Sequence, residues 1–192
     1  ENFSFRTDPN LLLNRGLVNY IPAMSKVNTY RLTSRYNPAT QFMGEVAFQF
    51  DVQYKFNKKV SALVNYSHIN SLEDVKLYRE IYGEVTYKPN KNNNFIIGLQ
   101  RQVYNQFVYE GKVNAPNVET YVPFLEYLHK FNKKTAIRLE GSAMFTDQDY
   151  GSWVYGLAEF TIAPHWSFVV SDMYNYGFNS EKTKKANNYP SI

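Results

Sequence analysis

Residues 44–56 run Gly44-Glu45-Val46-Ala47-Phe48-Gln49-Phe50-Asp51-Val52-Gln53-Tyr54-Lys55-Phe56, and this stretch decides how the rest of the chain is read. One set of alternate positions holds Gly44, Val46, Phe48, Phe50, Val52, Tyr54 and Phe56; the other holds Glu45, Ala47, Gln49, Asp51, Gln53 and Lys55. Side chains of a strand point to opposite faces with period two, so the pattern predicts one β-strand with an oily side and a charged side. An ordinary strand has roughly 5–6 residues, whereas about 9–11 tilted residues cross the hydrocarbon of a bilayer. The length therefore predicts a transmembrane barrel strand. Val46, Phe48, Phe50, Val52, Tyr54 and Phe56 are expected to face lipid, and the charges to face the lumen.

Composition agrees. The 192 residues suit a single domain, and 17 Tyr, 14 Phe and 2 Trp supply the aromatic side chains favoured on pleated surfaces and at membrane interfaces. No apolar run approaches the roughly 18 residues of a membrane-spanning helix. The negative mean hydropathy does not argue against a barrel, because half of each strand faces a polar interior. The absence of cysteine rules out a disulfide framework and a thiolate metal site. A net charge of +4, spread along the chain, lacks the concentrated basic stripe of a nucleic-acid binder. The chain opens at Glu1 with neither methionine nor an apolar signal segment, as expected for a processed protein or a piece of a longer one.

Turns punctuate the chain regularly. Phe56-Asn57-Lys58-Lys59 and Phe131-Asn132-Lys133-Lys134 are near-copies, each ending one alternating segment and starting another; Lys88–Asn94 and Ala163-Pro164-His165 do the same. Longer polar connections lie between them, at 70–76, 105–117 and 147–151. Short turns alternating with longer loops are the build of bacterial outer-membrane barrels, with short turns on the periplasmic side. Strands are predicted near 27–36, 42–56, 60–69, 77–88, 95–105, 118–131, 135–146, 152–162 and 166–177. Residues 1–26 form a lead-in segment, and 178–192 a polar loop leading toward strands that the chain does not contain. The fold class is thus all-β, an antiparallel up-and-down transmembrane barrel of which 1–192 form one incomplete portion.

A charge facing lipid at the bilayer midplane costs about 2–4 kcal/mol for Arg or Lys, so charges choose the interior and fix the register. The expected lumen-facing set is Arg31, Arg35, Glu45, Asp51, Lys55, Glu80, Glu84, Glu126, Lys130, Arg138, Glu140 and Glu159. With a turn centred near Ala39, Glu45 is expected opposite Thr33 and diagonal to Arg31 and Arg35. Across the Asn132 turn, Glu126 is expected to approach Arg138 and Glu140. Lys58, Lys59, Lys88, Lys91, Lys133 and Lys134 gather at one end, where solvation and edge protection suffice to explain them. Near the opposite rim, Arg79 and Arg101 on adjacent strands are expected to contact lipopolysaccharide phosphate.

No catalytic chemistry is legible. His68, His129 and His165 are far apart in sequence and form no short metal motif. No Gly-x-Ser-x-Gly elbow and no glycine-rich phosphate loop occurs, so neither an enzyme nor a cofactor is expected.

The run Arg6-Thr7-Asp8-Pro9-Asn10-Leu11-Leu12-Leu13-Asn14-Arg15-Gly16-Leu17-Val18-Asn19-Tyr20, with Tyr36-Asn37-Pro38-Ala39-Thr40-Gln41 leading into Gly44-Glu45, resembles an uncharacterised family of outer-membrane β-barrel proteins from Bacteroidetes. The resemblance implies an outer-membrane location, a barrel larger than this piece, and partners among outer-membrane or periplasmic subunits of a larger complex. It assigns no functional residue. The expected function is a structural or accessory barrel subunit. The alternatives are a porin-like transport barrel with a mildly acidic lumen and a soluble lipocalin-like ligand binder with its aromatic faces turned inward.

Overall fold

The asparagine turns are the local devices that build this fold. In the computed structural model, which describes residues 23–39, 44–177 and 187–191, Asn57 Oδ1 accepts from the backbone N–H groups of Lys59 (2.8 Å) and Val60 (3.0 Å). Asn132 repeats the same bonds to Lys134 (2.8 Å) and Thr135 (3.0 Å), so the sequence echo is a structural echo. Asn90 does likewise for Asn92 and Asn93. Asparagine suits this position because its short side chain satisfies turn N–H groups that no strand can reach.

These turns and longer loops join β1 (Glu45–Lys55), β2 (Val60–Ser71), β3 (Lys76–Tyr87), β4 (Asn93–Tyr104), β5 (Val118–Lys130), β6 (Thr135–Met144), β7 (Ser152–Ile162), β8 (Trp166–Gly177) and β9 (Asn187–Ser191). All nine form one antiparallel sheet in the order β1 to β9, each strand paired with the next. The expected meander is therefore what the chain forms. Among the described residues the sheet is not closed into a barrel: β1 and β9 stand at the two ends of the order and do not pair with each other.

Three elements differ from the sequence expectation. Residues 27–36 form no strand; Tyr30–Tyr36 is a series of turns, with Ser34 N–H bonded to the Tyr30 carbonyl (3.1 Å) and Thr33 Oγ1 to the same oxygen (2.9 Å). The alternation of Tyr30 and Leu32 with Arg31 and Thr33 imitates a strand, but these local bonds capture the backbone first. Consequently the expected hairpin that would set Glu45 against Arg31 and Arg35 does not exist. Residues 187–191, inside the expected polar tail, add a short edge strand beside β8. Between β4 and β5, Gln106–Glu110 makes a single helical turn, α1, capped by the Asn105 side chain on Val108 N–H and ended by Gly111 at φ 68°. Residues 1–22 of the expected lead-in 1–26, and most of the expected tail 178–192, lie outside the described residues.

Segment 23–39 packs across one face of the sheet, called here the covered face. Leu32 and Tyr36 join a buried cluster with Ile69, Leu77, Tyr78, Tyr104, Val118, Val122, Met144 and Trp153, drawn from strands β2 to β7. Tyr30 packs on Phe124 at 4.3 Å between ring centroids, and Phe124 stacks on Tyr82 at 5.5 Å. Gly98 makes this second cluster fit: a Cβ there would collide with the Phe124 ring and stand 2.6 Å from the Gly83 carbonyl oxygen. Gly141, by contrast, has nothing within 4 Å of an added Cβ.

Gly98→Ala is accordingly expected to destabilise the fold by about 1–3 kcal/mol through overpacking, while Gly141→Ala stays within about 0.5 kcal/mol of wild type. Equilibrium denaturation of the two variants checks this; equal stabilities would refute the close approach at Gly98.

Candidate functional site

Because every pair is antiparallel and side chains alternate in direction, each cross-strand row lies on one face of the sheet. Phe50, Tyr66, Ile81, Arg101 and Tyr121 form one such row, and Tyr54, Ala62, Val85, Ile97 and Leu125 another. Both belong to the bare face, opposite segment 23–39. Phe50 is 61 % exposed, Ile97 60 % and Val170 57 %, and Val46, Phe48, Val52, Val64, Leu99, Leu139, Val154, Phe160, Trp166 and Phe168 are exposed beside them. Large exposed apolar patches mark surfaces that meet something other than water. All six side chains assigned to lipid from the sequence, Val46, Phe48, Phe50, Val52, Tyr54 and Phe56, are on this exposed side.

The covered face holds most of the strand charges, while Arg79, Arg101, Glu119 and Asp172 fall on the bare face by register. Glu45, Asp51, Lys55, Glu80, Glu84, Glu126, Lys130, Arg138, Glu140 and Glu159 all share its strand parity. Arg31 and Arg35 do not belong to a strand: Arg31 is exposed, and Arg35 lies over the Trp153 ring at 4.3 Å. The β5–β6 hairpin assembles the expected group. Arg138 donates to Glu126 (3.2 Å), Glu140 (3.4 Å) and Glu159 (3.0 Å), three carboxylates on one guanidinium. Such charge-assisted bonds are the strong ones. Glu84 accepts from the Tyr82 hydroxyl at 2.6 Å.

Deeper under the segment, Glu80 is fully buried without a cation in ion-pair range among the described residues. It is held instead by neutral donors, Asn28 Nδ2 (2.7 Å) and Gln100 Nε2 (2.6 Å). The Gln100 amide also donates to the Thr33 carbonyl (3.0 Å), tying the segment to β4.

The residues that the sequence did not reveal are in the loops. Asp149, in the β6–β7 connection, accepts from Tyr36 of the segment (2.9 Å) and from Lys112 of the β4–β5 loop (2.8 Å). One carboxylate thus joins three chain segments. Burial alone would raise its pKa, but hydrogen bonds from Lys112, Gln106 and Tyr36 hold it below the ordinary 3.8. Burial likewise opposes the charge on Lys112, yet Asp149 and Glu110 keep its pKa above the usual 10.5. The Tyr36 hydroxyl is pushed up, first by burial and then by Asp149. The only local signal for Asp149 is its place before Tyr150-Gly151, where a φ of 54° favours Asp or Asn.

The histidines stay apart. His68 stacks on Phe48 at 4.4 Å, His129 bonds Asn93 at 2.8 Å, and His165 is exposed in the β7–β8 turn. Among the described residues no group of three His, Cys, Asp or Glu side chains is placed to hold a metal ion.

The signs of these shifts set a pH window. A carboxyl whose folded pKa is depressed stabilises above its unfolded value and loses that contribution as pH falls through the folded one; a raised ammonium does the opposite at the alkaline side. The loop clamp is therefore expected to hold between roughly pH 4 and 10 and to open in acid below the ordinary 3.8 of Asp149. Trp153, beneath Arg35, reports it in a Trp166→Phe background, where it is the sole tryptophan. Asp149→Asn should abolish the acid transition and cost about 1–3 kcal/mol; an acid transition of unchanged midpoint in that variant would refute the assignment.

No curated protein and no solved structure matches this chain. Over residues 1–192, the whole sequence, it matches one family described only as of unknown function. The chain belongs to that family of unknown function, DUF6029.

Proposed function

We propose that this chain forms part of the wall of a non-enzymatic β-barrel in the bacterial outer membrane, serving a structural or accessory role in an outer-membrane complex. The observation that carries the proposal is the bare, largely apolar face of β1 to β8, broken by Arg79, Arg101 and Glu119 near the loop end and by Asp172 in β8, set against a face of carboxylates, arginine and amides. β1 to β8 have 10–13 residues. At about 3.3 Å per residue and the roughly 40° tilt of a barrel, they would rise some 25–33 Å. The apolar band of such barrels is about 25 Å tall. Water would leave this face costly, and lipid would not. The edge strands also favour closure: the outer edges of β1 and β9 carry backbone groups that further strands of a larger barrel would satisfy.

Segment 23–39 favours the scaffold over the porin-like alternative. Its buried Tyr30, Leu32, Thr33 and Tyr36 occupy the interior side at the loop end, where a conduit would need water. The ligand-binding alternative requires the aromatic rows to surround a ligand, whereas these rows lie on the exposed side.

Single cysteines at Phe48 and Gln49, in a chain with none of its own, test the membrane assignment. In native membranes, the cysteine at 48 is expected to react with a lipid-soluble thiol reagent and the one at 49 only with a water-soluble one. A soluble protein with position 48 open to the aqueous reagent would refute it. Planar-bilayer recording tests the scaffold role: the intact barrel should stay silent, and a stable open pore would turn the reading to transport.

A further inference from the structure

Arg79 and Arg101, the two arginines expected near the outer rim, are on the bare face beside apolar side chains rather than among the carboxylates. Arg79 is opposite Val103 and Arg101 opposite Ile81, which makes the arginines diagonal neighbours on adjacent strands at the loop end of the sheet. Together with Tyr66, Ile81, Val103 and Lys76 they line an open depression of about 210 Å³. Glu80 also borders it, but its carboxylate is engaged on the covered face by Asn28 and Gln100.

The two guanidinium groups are prepared differently. Arg79 is fixed by three neutral acceptors: the carbonyls of Ile69 (2.9 Å) and Tyr78 (2.7 Å), and Asn70 Oδ1 (2.7 Å). A guanidinium has five N–H donors, so three bonds leave two. No carboxylate within ion-pair range among the described residues offsets its charge. The side chain is thus a fixed cation at the border of an apolar surface, with Asp74 held nearby through Asn70, the partner the two share. Arg101 flanks Tyr121 at 5.4 Å and has only a long contact with Glu119, 3.8 Å between two half-exposed groups. Exposed pairs of that kind are worth little and exchange readily for a better anion.

We propose that Arg79 and Arg101, with Lys76 beside them, form a binding site for the phosphate of a membrane lipid whose acyl chains lie along Ile81, Leu99 and Ile97. Phosphate is the anion that matches a planar fork of donors bidentately. The apolar side chains immediately below supply the bed that a free inorganic anion would not use. This inference rests on the reading of the bare face as lipid-facing, and it names the partner at one point of that face.

The test uses the whole protein in detergent micelles and native mass spectrometry. Its probes are lipid A bearing both phosphates, the same lipid A after their removal, and inorganic phosphate. Wild type is expected to retain the phosphorylated lipid. Arg79→Ala with Arg101→Ala should weaken that retention by about tenfold or more, and Lys58→Ala with Lys59→Ala, at the opposite end, should leave it unchanged. Arg79→Lys with Arg101→Lys, which keeps the charge and loses the fork, should fall between. Should the double alanine variant fail to fold, Arg101→Ala alone, at the more exposed position, is expected to show a smaller loss with a wild-type melting transition. Equal retention by folded alanine variants, or equal retention of the dephosphorylated lipid, overturns the site. Displacement by equimolar inorganic phosphate also overturns it, leaving a free-anion site. If labelling at position 48 shows no contact with lipid, the membrane reading itself falls; if that contact stands and the lipid data fail, the phosphate site falls alone.

Discussion

Cross-strand register holds the rest of this structure in place. With a side-chain period of two, a slip of one residue between neighbouring strands would exchange the two faces of everything beyond it. The register Glu126↔Glu140 and Arg138↔Glu159 is what brings three carboxylates round a single guanidinium. Slipping β6 by one position would instead put Arg138 among Leu125, Ala158 and Phe160. The asparagine turns at 57, 90 and 132 guard against this at one end of the sheet, because each fixes its loop length through side-chain bonds of nearly identical geometry. Local turn chemistry and long-range charge pairing thus demand the same alignment, and agreement between levels is what gives a sequence one fold.

Segment 23–39 answers a second demand. The covered face carries Glu80, Gln100, Gln102 and Thr120 at positions that are fully or almost fully buried. Buried polar groups without partners cost about 1–3 kcal/mol each. The carbonyls of Thr33 and Tyr36 and the amide of Asn28 meet part of that need, since Gln100 and Gln102 donate to the first two and Glu80 accepts from the third. The turns that prevent 27–36 from being a strand therefore have a purpose beyond local geometry. A strand would keep its carbonyls in its own ladder, whereas a turn leaves several free to receive side chains from the sheet.

The legible part of the fold follows from this. Strands β1 to β8 were readable because alternation and turn residues are local, and both agree with the final structure. The Arg138 group was readable because the Asn132 turn fixes which residues face each other. Segment 23–39 was misread because its alternation is also compatible with turns, and only its contacts with Glu80, Gln100 and Phe124 decide between them. The Asp149 clamp was invisible for the same reason: Tyr36 is 113 positions away and Lys112 is 37, so no spacing rule links them. Strand β9 escaped because Asn187-Asn188-Tyr189-Pro190-Ser191 has little strand propensity of its own; its pairing with β8 is tertiary.

The two ends of the sheet are unlike, and the difference bears on function. At the loop end, Asp149, Lys112 and Tyr36 knit three segments together, with Arg35 and Tyr150 packed against them. Toward the short turns, Asp51, Gln53 and Lys55 are exposed, and Glu84, Glu126 and Glu159 are only partly covered. In a closed barrel this arrangement would give a vestibule that opens on the lysine-bearing turns and ends blind beneath segment 23–39. Ions could enter such a space, drawn by carboxylates that outnumber Arg138, but they would meet Tyr30, Tyr82 and Phe124 stacked across the way. A conduit needs continuity through both ends. A wall needs a stable interior, a lipid-compatible exterior and a fixed rim, and it is this second set of demands that the proposed role asks the two faces and the loop end to meet.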